Sequence, residues 1–356
     1  MHSNELTAAL GTGAPVFLKL ENVQPSGSFK LRGIGAACVA AVSAGASLLV
    51  SSSGGNAGLA VAYSARAVGV DCVVVRSALW LALHRCCTLT RTLVPQVVPR
   101  STPEAVRARL AQYGASVFVH GEHWAQAHEH AQLLVDQAGG SAAALVHPFE
   151  GEATWGGHAT LVAEIRDQLP GVAAAAGYRH ILHTPGCIAL SVGGGGLLMG
   201  VLRGCTAVGW TAADTVVLAV ETRGADCLSQ AVAARSPVTL PGITSIASSL
   251  GAPTASAAAL QACLEPGSRV ACATVEDAAA VDACLRLLKD HRMLVEPACG
   301  AALAPVYRSS GGGAAAMPSA LEKAKSVVVV VCGGANVQHD ALLKWQAGFA
   351  ATSRGG

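Results

Sequence analysis

Short apolar runs alternate along the chain with longer, alanine-rich stretches whose apolar residues recur at helical spacing. Each run is rich in valine, leucine or isoleucine. Continuous runs of this kind are typical of strands buried on both faces of a parallel sheet. We therefore predict strands at residues 16–20, 48–50, 72–75, 117–119, 188–192, 216–220 and 327–331.

A helix is predicted over residues 275–289, where Thr274 followed by Asp277 provides a capping signal. The repeated alternation of strand and helix predicts an α/β fold with parallel sheets covered on both faces. A chain of 356 residues is long enough for one large α/β unit or for two domains.

Three segments fit this alternation poorly. Residues 76–96 separate residues 73–75 from residues 97–99, which together resemble one strand and its exit. Residues 172–187 delay the strand that begins at Ile188. We interpret both segments as insertions. Residues 309–316 are rich in glycine and alanine, which predicts a surface loop.

Composition and charge exclude several classes of partner. The net charge is +2, the basic residues are scattered and aromatic residues make up 4%, so no nucleic acid partner is expected. The mean hydropathy is +0.45, but the apolar run at residues 327–332 is far shorter than the roughly 20 residues of a membrane-spanning helix. We see no secretory signal, and the twelve cysteines lie within apolar segments, so a cytoplasmic protein with reduced thiols is expected.

A lysine is the first candidate for chemistry. Lys30 lies in the run PSGSFKLRG, residues 25–33, after a Pro/Gly/Ser loop and at the predicted start of a helix. A lysine that forms a Schiff base must be held in a partly desolvated site, where loss of its charge is easier. A lysine taken alone is more often a solvated surface residue, so this interpretation depends on the other motifs.

The run SSSGGNAG, residues 51–58, lies between a predicted strand and a helix that starts near Ala57. Small residues let a backbone approach a ligand closely, and a helix N-terminus offers N–H groups to a carboxylate. The side chain of Asn56 can bond a ring hydroxyl. At this point an ordinary strand-to-helix turn remains the alternative.

Four consecutive glycines, at residues 193–196, follow the predicted strand that ends at Val192. Glycine loses more conformational freedom on folding than any other residue, so four in a row are rarely needed for a turn alone. Their amides, with the dipole of the following helix, could surround a phosphate. The run matches neither a Walker loop nor the dinucleotide fingerprint.

The last predicted strand runs directly into Cys332. Ligands in open α/β sheets bind outside the carboxyl ends of the strands, which places this thiol at a candidate ligand edge. A thiol in such a position is usually inert core packing. Beside a pyridine nitrogen it would be a weak, uncharged partner.

These four elements, in this order, resemble those of the serine dehydratase and serine dehydratase-like branch of the L-serine/L-threonine ammonia-lyases. These are fold-type II enzymes that use pyridoxal phosphate (PLP). The likeness extends from about Val16 to the C-terminus. It is carried by LKLENVQPSGSFKLRG (residues 18–33), WGGHA (155–159), VETRGA (220–225), LPGITSIASSLG (240–251) and LVEPACGAALA (294–304).

The resemblance implies a tryptophan synthase β-like architecture, with two open, twisted, mostly parallel sheets in a large and a small domain. The large PLP-binding domain would comprise residues 1–23 and 149–356, and the small domain residues 24–148 with the insertion at 76–96. It also implies a homodimer and an amino acid substrate, with no nucleic acid and no membrane as partner.

The activity that the resemblance implies is β-elimination of water from L-serine, which gives pyruvate and ammonia, and from L-threonine, which gives 2-oxobutanoate. Lys30 would hold PLP as a Schiff base and later remove the substrate α-proton. Phe29 would lie against the cofactor ring, and Cys332 would face its nitrogen. The phosphate would be held by the N–H groups of Gly193, Gly194, Gly195, Gly196 and Leu197, the ring oxygen by Asn56, and the substrate carboxylate by Ser53, Gly54 and Asn56.

A monovalent cation site, suited to K⁺, is also implied by the resemblance. Glu221 would supply a carboxylate, and Ala225, Leu250 and Ala252 main-chain carbonyls, since hard cations prefer oxygen ligands. Cys227 stands where relatives can have a serine ligand. The alternative is that Glu221 caps or pairs locally.

Two other functions remain open, namely a PLP-binding relative with impaired or no activity and a serine racemase-type enzyme. The thiol at Cys332 favours the dehydratase over the racemase. We assign no zinc site to the histidine-rich segment, because it occupies a loop and the start of an amphipathic helix with no constellation of carboxylates or thiols around it. The same holds for the Cys/His group inside the first insertion. The residues concerned are His120, His123, His128 and His130, and His84, Cys86 and Cys87.

Overall fold

The protein is described from a computed structural model. The residues that it describes are 1–74, 95–98, 104–113, 116–119, 124–138, 142–181, 183–308 and 317–352. Residues 76–94 of the first predicted insertion, the predicted loop at 309–316, and the residues His84, Cys86, Cys87, His120 and His123 lie outside the described residues.

Strands and helices alternate through most of the described chain. The strands are β1 His2–Ser3, β2 Val16–Leu20, β3 Leu48–Val50, β4 Asp71–Val74, β5 Pro95–Val98, β6 Ser116–Val119, β7 Ala143–Leu145, β8 Cys187–Ser191, β9 Val216–Thr222, β10 Val270–Val275 and β11 Val327–Val331. The helices are α1 Asn4–Leu10, α2 Lys30–Ser43, α3 Asn56–Val68, α4 Glu104–Gln112, α5 Trp124–Gln137, α6 Glu152–Ala175, α7 Gly196–Ala207, α8 Cys227–Ala234, α9 Ala257–Leu264, α10 Asp277–His291, α11 Pro297–Tyr307, α12 Ser319–Glu322 and α13 His339–Thr352.

The chain forms two compact units. The large unit comprises Met1–Phe29 and His158–Gly356, and the small unit comprises Lys30–Gly157. One division lies at the first residue of α2, and the other lies inside α6. These units lie close in sequence to the domains predicted from the resemblance, whose limits remain a prediction.

The large unit is built on a six-stranded sheet with the order β1-β2-β11-β8-β9-β10. Its strands pair in parallel except for β1, which is antiparallel to β2. The central strand β11 is five valines, all buried, as expected for a strand covered on both faces. Helix α11 packs on β8, β9 and β11 and is itself almost wholly buried.

The small unit is built on a five-stranded parallel sheet with the order β5-β6-β4-β3-β7. Helix α3 is buried through most of its length, including Leu59, Val61 and Ala65. It ends at Val68, and the next residue, Gly69, has a φ of 72°, the left-handed conformation typical of a helix C-terminus.

Several sequence predictions are confirmed. The strands at residues 16–20, 48–50 and 327–331 have the predicted bounds, and the others begin or end within one or two residues of them. Two details were wrong. Thr274 does not cap a helix, because it lies inside β10; the helix begins at Asp277 with Glu276 as its N-cap residue. Strands β1, β7 and β10 were not predicted.

The interpretation of residues 73–75 and 97–99 as one divided strand was also wrong. Strands β4 and β5 are separate members of the small sheet, and β6 lies between them. Strand β5 forms its own parallel ladder, in which Pro95–Val98 is paired with Ser116–Val119. In the second poorly fitting segment, α6 continues as far as Ala175 before β8 begins at Cys187.

Candidate functional site

In the small unit, two chain segments leave the sheet side by side. Strands β3 and β7 are parallel neighbours, with Val50 opposite Leu145. The next residues stay in contact, since the N–H of Val146 donates to the carbonyl of Val50 at 2.8 Å. The serine-rich turn after β3 and the segment after β7 therefore start at the same carboxyl edge, where open α/β sheets bind ligands.

The amine of Lys30 lies at this edge. Lys30 is the first residue of α2, and its Nζ donates a hydrogen bond of 2.5 Å to the carbonyl oxygen of Pro148, three residues beyond β7. The following turn is held by the indole of Trp155, whose Nε1 donates to the carbonyl of Phe149 at 2.8 Å. The carbonyl that receives the lysine amine is thus part of a fixed turn.

His147 lies beside this carbonyl and is held in one tautomer. Its Nδ1 accepts hydrogen bonds from the N–H groups of Glu150 at 2.9 Å and Phe149 at 3.4 Å, so the neutral ring carries its proton on Nε2. Burial lowers the pKa of His147 to about 4, with further contributions from His128 and Lys30. The ring is therefore neutral at physiological pH.

His128 connects this histidine to the serine-rich turn. Its Nδ1 lies 3.0 Å from Oγ of Ser52, and its ring meets the ring of His147 edge to face, with centroids 5.4 Å apart. In the sequence, His128 was a candidate only as a metal ligand, and nothing indicated His147, because strand β7, which ends two residues before it, was not predicted. The partner of His128 comes from the tertiary fold alone.

The turn after β3 is tightly formed and opens α3. The N–H of Gly55 donates to Oγ of Ser53 at 3.3 Å. Helix α3 begins at Asn56, and because its N-cap residue is Gly55, no side chain caps the N-terminus. A Cβ on Gly58 would collide with the carbonyl oxygen of Ser53, so this glycine is required by packing. The three predicted substrate-binding residues lie together at the N-terminus of this helix, namely Ser53, Gly54 and Asn56.

In the large unit, the four glycines connect β8 to the first turn of α7. Gly195 has a φ of 99°, and a Cβ there would lie 2.7 Å from Cβ of Ala259. A Cβ on Gly193 would lie 3.1 Å from Cα of Leu250. A side chain is therefore strongly disfavoured at Gly195, and one at Gly193 would require Leu250 to shift. Gly196 and Leu197 form the first turn of α7, whose N-terminus has no side-chain cap, and such a helix start attracts anions.

Ser256 adds a donor beside this loop. Its N–H donates to the carbonyl of Gly194 at 3.0 Å, and its side chain is 3% exposed. Within the described residues its Oγ has no hydrogen-bond partner, which a buried hydroxyl normally has. The glycine turn, the start of α7 and this hydroxyl together fit a phosphate group. Sequence reasoning missed Ser256, because its place depends on how α9 packs.

Cys332 lies at the neighbouring strand end. Strands β11 and β8 are parallel neighbours, and Sγ of Cys332 lies 3.4 Å from Oγ of Ser191. A hydrogen bond with Cys299, and burial, raise the pKa of the Cys332 thiol well above its ordinary value, so it remains protonated. The N–H of Phe29 donates to the carbonyl of Cys332 at 2.9 Å, which brings two predicted cofactor contacts together.

Glu221 is buried and bonded to the start of α8. Its carboxylate accepts from the N–H of Leu228 at 2.9 Å, and from the N–H and hydroxyl of Ser229 at 2.7 and 2.6 Å. Burial raises its pKa to about 7, although these hydrogen bonds oppose the shift. Its oxygens thus act as a local cap, which is the alternative that the sequence left open.

The other predicted cation ligands lie in buried positions. Ala225, Leu250 and Ala252 are each less than 10% exposed, and the carbonyl of Leu250 accepts from the N–H of Ala252 at 2.7 Å. The thiol of Cys227 points to the carbonyl of Gly193 at 3.8 Å. Among the described residues there is no cluster of three or more His, Cys, Asp or Glu side chains able to hold a metal ion.

The helices described in the structure include none with the length and apolar character required to cross a membrane.

The comparisons agree on one class of protein. The family model for pyridoxal-phosphate dependent enzymes matches residues 1–333. Human serine dehydratase-like protein is 43% identical over 91% of this chain and 86% of its own length. Human L-serine dehydratase/L-threonine deaminase is 39% identical over 91% of this chain and 87% of its own length. The crystal structure of a fungal L-serine ammonia-lyase from Rhizomucor miehei has a TM-score of 0.78 and 32% identity, covering 98% of this chain and 97% of that one.

Proposed function

The chain belongs to the family of pyridoxal-phosphate-dependent enzymes, and we propose that it deaminates L-serine to pyruvate and ammonia, and L-threonine to 2-oxobutanoate. One observation carries the proposal: the amine of Lys30 lies at the carboxyl edge of the small sheet, held by the Pro148 carbonyl. The similarity to serine dehydratases and to a serine ammonia-lyase supports the same reaction.

PLP, when bound, supplies an electron sink that makes the substrate α-proton easier to remove and allows the β-hydroxyl to leave. Lys30 would bind the cofactor through its amine and afterwards accept the α-proton at Nζ. The neutral ring of His147 supports this role, since a neutral neighbour does not repel the proton that Nζ takes up.

Five consecutive residues would hold the phosphate through their N–H groups, namely Gly193, Gly194, Gly195, Gly196 and Leu197. The hydroxyl of Ser256 supports this assignment, because it is a buried donor beside the loop. Phe29 would lie against the ring, and Asn56 would bond its oxygen. The substrate carboxylate would be received by Ser53, Gly54 and Asn56, where the first turn of α3 offers N–H groups.

Cys332 would face the ring nitrogen. Because its thiol keeps its proton, it transfers that proton to a ring nitrogen far less readily than a carboxylic acid would. This chemistry favours elimination over a serine racemase-type reaction. A relative that binds PLP without turnover is the other alternative.

A K⁺ ion would bind near Glu221, with carbonyls from Ala225, Leu250 and Ala252. The buried carboxylate supports a cation there, because a nearby positive charge would offset the burial that raises its pKa. Exchange of K⁺ for Li⁺ is expected to lower turnover and thermal stability. We further propose a cytoplasmic homodimer.

The test uses purified protein supplied with PLP and L-serine, with pyruvate and D-serine measured separately. Pyruvate is expected, together with the visible absorbance of lysine-bound PLP. Lys30→Ala and Lys30→Arg should both lose the absorbance and the pyruvate, because neither side chain can bond PLP covalently. Lys289→Ala, at an exposed lysine of α10, serves as the matched control and should keep both.

Other outcomes identify the alternatives. D-serine without pyruvate would indicate a racemase, and the absorbance without either product would indicate a binding relative. Full activity of Lys30→Ala would disprove the role of Lys30.

A further inference from the structure

His128 lies between the two turns that leave the carboxyl edge of the small sheet. It belongs to α5, which packs against β3 and β7, the strands from which both turns start. Its Nδ1 lies 3.0 Å from Oγ of Ser52 in the serine-rich turn. Its ring contacts the ring of His147 in the turn that carries Pro148. One side chain therefore joins both turns to a helix that lies outside them.

The contact with Ser52 holds the serine-rich turn from outside. Ser52 is fully buried, and a buried hydroxyl normally has a hydrogen-bond partner. Within the turn, the N–H of Ser53 donates to Oγ of Ser51 at 3.4 Å, and the N–H of Gly55 donates to Oγ of Ser53 at 3.3 Å. These local bonds shape the turn. The bond between Ser52 and His128 ties the shaped turn to the rest of the unit.

The ring of His128 is itself held in place by its neighbours. It meets His147 edge to face, and His147 meets Phe149 in the same way, with ring centroids 4.6 Å apart. Edge-to-face contact is a favoured arrangement of such rings. His147 cannot turn freely, because its Nδ1 accepts the N–H of Glu150. Burial lowers the pKa of both histidines, so the two neutral rings pack without repulsion between like charges.

We propose that His128 is a positioning residue, which sets the place of the serine-rich turn and thereby the fit of the substrate carboxylate to Ser53, Gly54 and Asn56. His128 acts through Ser52, the neighbour of Ser53 in the chain. Hydrogen bonds from N–H groups weaken steeply when their distance or angle changes, so a small shift of the turn costs affinity for a carboxylate. This inference rests on the proposed function, which takes the carboxylate to bind at this turn.

The experiment measures how tightly the PLP-loaded protein binds two probes, L-alanine and L-alaninamide, from the change that each causes in the visible absorbance. L-alanine has no β-hydroxyl to lose, so no elimination follows its binding. L-alaninamide differs from it only in having a neutral amide in place of the carboxylate. The wild type should bind L-alanine more tightly than L-alaninamide.

Ser52→Ala and His128→Phe remove the two partners of one hydrogen bond. Each should weaken the binding of L-alanine about tenfold and leave that of L-alaninamide unchanged. The double variant should lose no more than either single variant, because both changes remove the same interaction. A purely structural defect would instead weaken the binding of both probes.

Two further variants serve as controls. His128→Asn places an amide near the position of Nδ1, so it should restore most of the affinity for L-alanine that His128→Phe loses. Ser47→Ala removes a hydroxyl that donates to the carbonyl of Ala142 at 3.3 Å, before the first residue of β3. It should leave both affinities unchanged. The visible absorbance of lysine-bound PLP shows that each variant is folded and loaded.

Unchanged binding of L-alanine in Ser52→Ala, or an equal loss for both probes, would overturn the proposal. So would a loss in His128→Asn as large as that in His128→Phe, because the hydrogen bond would then not be the cause. A wild type without preference for L-alanine would overturn the proposal as well, while pyruvate from L-serine would leave the proposed activity intact. A preference that depends on Ser52, in a protein that forms no pyruvate, would count against the proposed activity alone.

Discussion

Lys30 and Pro148 are joined by a hydrogen bond from a side-chain amine to a main-chain carbonyl, although 118 positions separate them in the chain. The carbonyl oxygen accepts from the amine and so fixes its position beside the carboxyl end of β7. The turn that carries Pro148 thus fixes where the lysine amine lies, and its integrity can be tested.

Trp155→Phe removes the indole N–H that donates to the carbonyl of Phe149. We expect a loss of about 1 kcal/mol in stability, the usual net value of one hydrogen bond, together with weaker retention of PLP. Thermal unfolding and a PLP titration measure the two effects. Trp345→Phe, at a half-buried tryptophan of the large unit, is the control. Equal PLP affinity in Trp155→Phe and the wild type would show that the turn does not position the amine.

Gly195→Ala should distort the glycine loop, because its φ of 99° is strained for alanine and its Cβ would meet Ala259 at 2.7 Å. We expect PLP affinity to fall at least tenfold, equivalent to about 1.4 kcal/mol. Gly209→Ala separates the two causes, since Gly209 has a φ of 79° but nothing within 4 Å of its Cβ position. That variant should lose some thermal stability and retain PLP. Similar PLP affinities in the two variants would contradict the packing argument.

His147 should make the protein sensitive to acid. Its folded pKa of about 4 lies below the ordinary 6.5, so between these values the unfolded chain binds a proton that the folded protein does not. Its contribution to stability is therefore complete above pH 6.5 and is lost as the pH falls toward 4. His147→Asn keeps an acceptor for the N–H of Glu150 but does not titrate in this range.

The measurement for His147 is chemical denaturation of both proteins at pH 7.5 and pH 5.0. The wild type should lose about 1 kcal/mol more stability than His147→Asn on acidification, after allowance for partial solvent exposure. Equal losses would mean that the ring is protonated normally in the folded state. A histidine signal that shifts near pH 6.5 in a nuclear magnetic resonance titration would lead to the same conclusion.

Glu221→Ala removes the acceptor for two N–H groups and one hydroxyl at the start of α8. We expect a loss of about 2 kcal/mol, the upper end of the range for a helix cap, because Leu228 is buried and Ser229 is half-buried. Glu221→Gln keeps one acceptor oxygen and should lose roughly half as much. Thermal unfolding without added K⁺ isolates this effect from any cation. An unchanged melting temperature in Glu221→Ala would contradict it.

The fully buried strands could be predicted because a strand covered on both faces requires a continuous run of apolar residues, which is visible in the sequence. Val327–Val331 is uniformly apolar and lies at the centre of the large sheet, so its bounds were predicted without error. Strand β10 was missed for the opposite reason. It lies at the sheet edge with every residue half-buried, and its short run of small residues, followed closely by a helix, resembles a helix start.

The residues of the candidate site also differ in how far the sequence could predict them. Lys30 and the four glycines are visible in the sequence, because their residue types are unusual where they occur. His128, His147 and Ser256 acquire their significance from neighbours far away in the chain, such as the Ser52 hydroxyl that meets His128. The spacing of residues along the chain does not indicate such contacts, so they are seen only in the folded protein.

The packing around Gly193 and Gly195 has a consequence for how the family diverges. Gly195 disfavours a side chain because of its φ of 99° and the contact with Ala259, and a side chain at Gly193 would require Leu250 to shift, whether or not a ligand is bound. A descendant that had lost its chemistry would still be under this packing constraint, whereas its lysine would be under no comparable constraint. When such descendants are compared, retention of the glycine run indicates only that the fold is kept. Retention of Lys30 indicates that catalysis is kept.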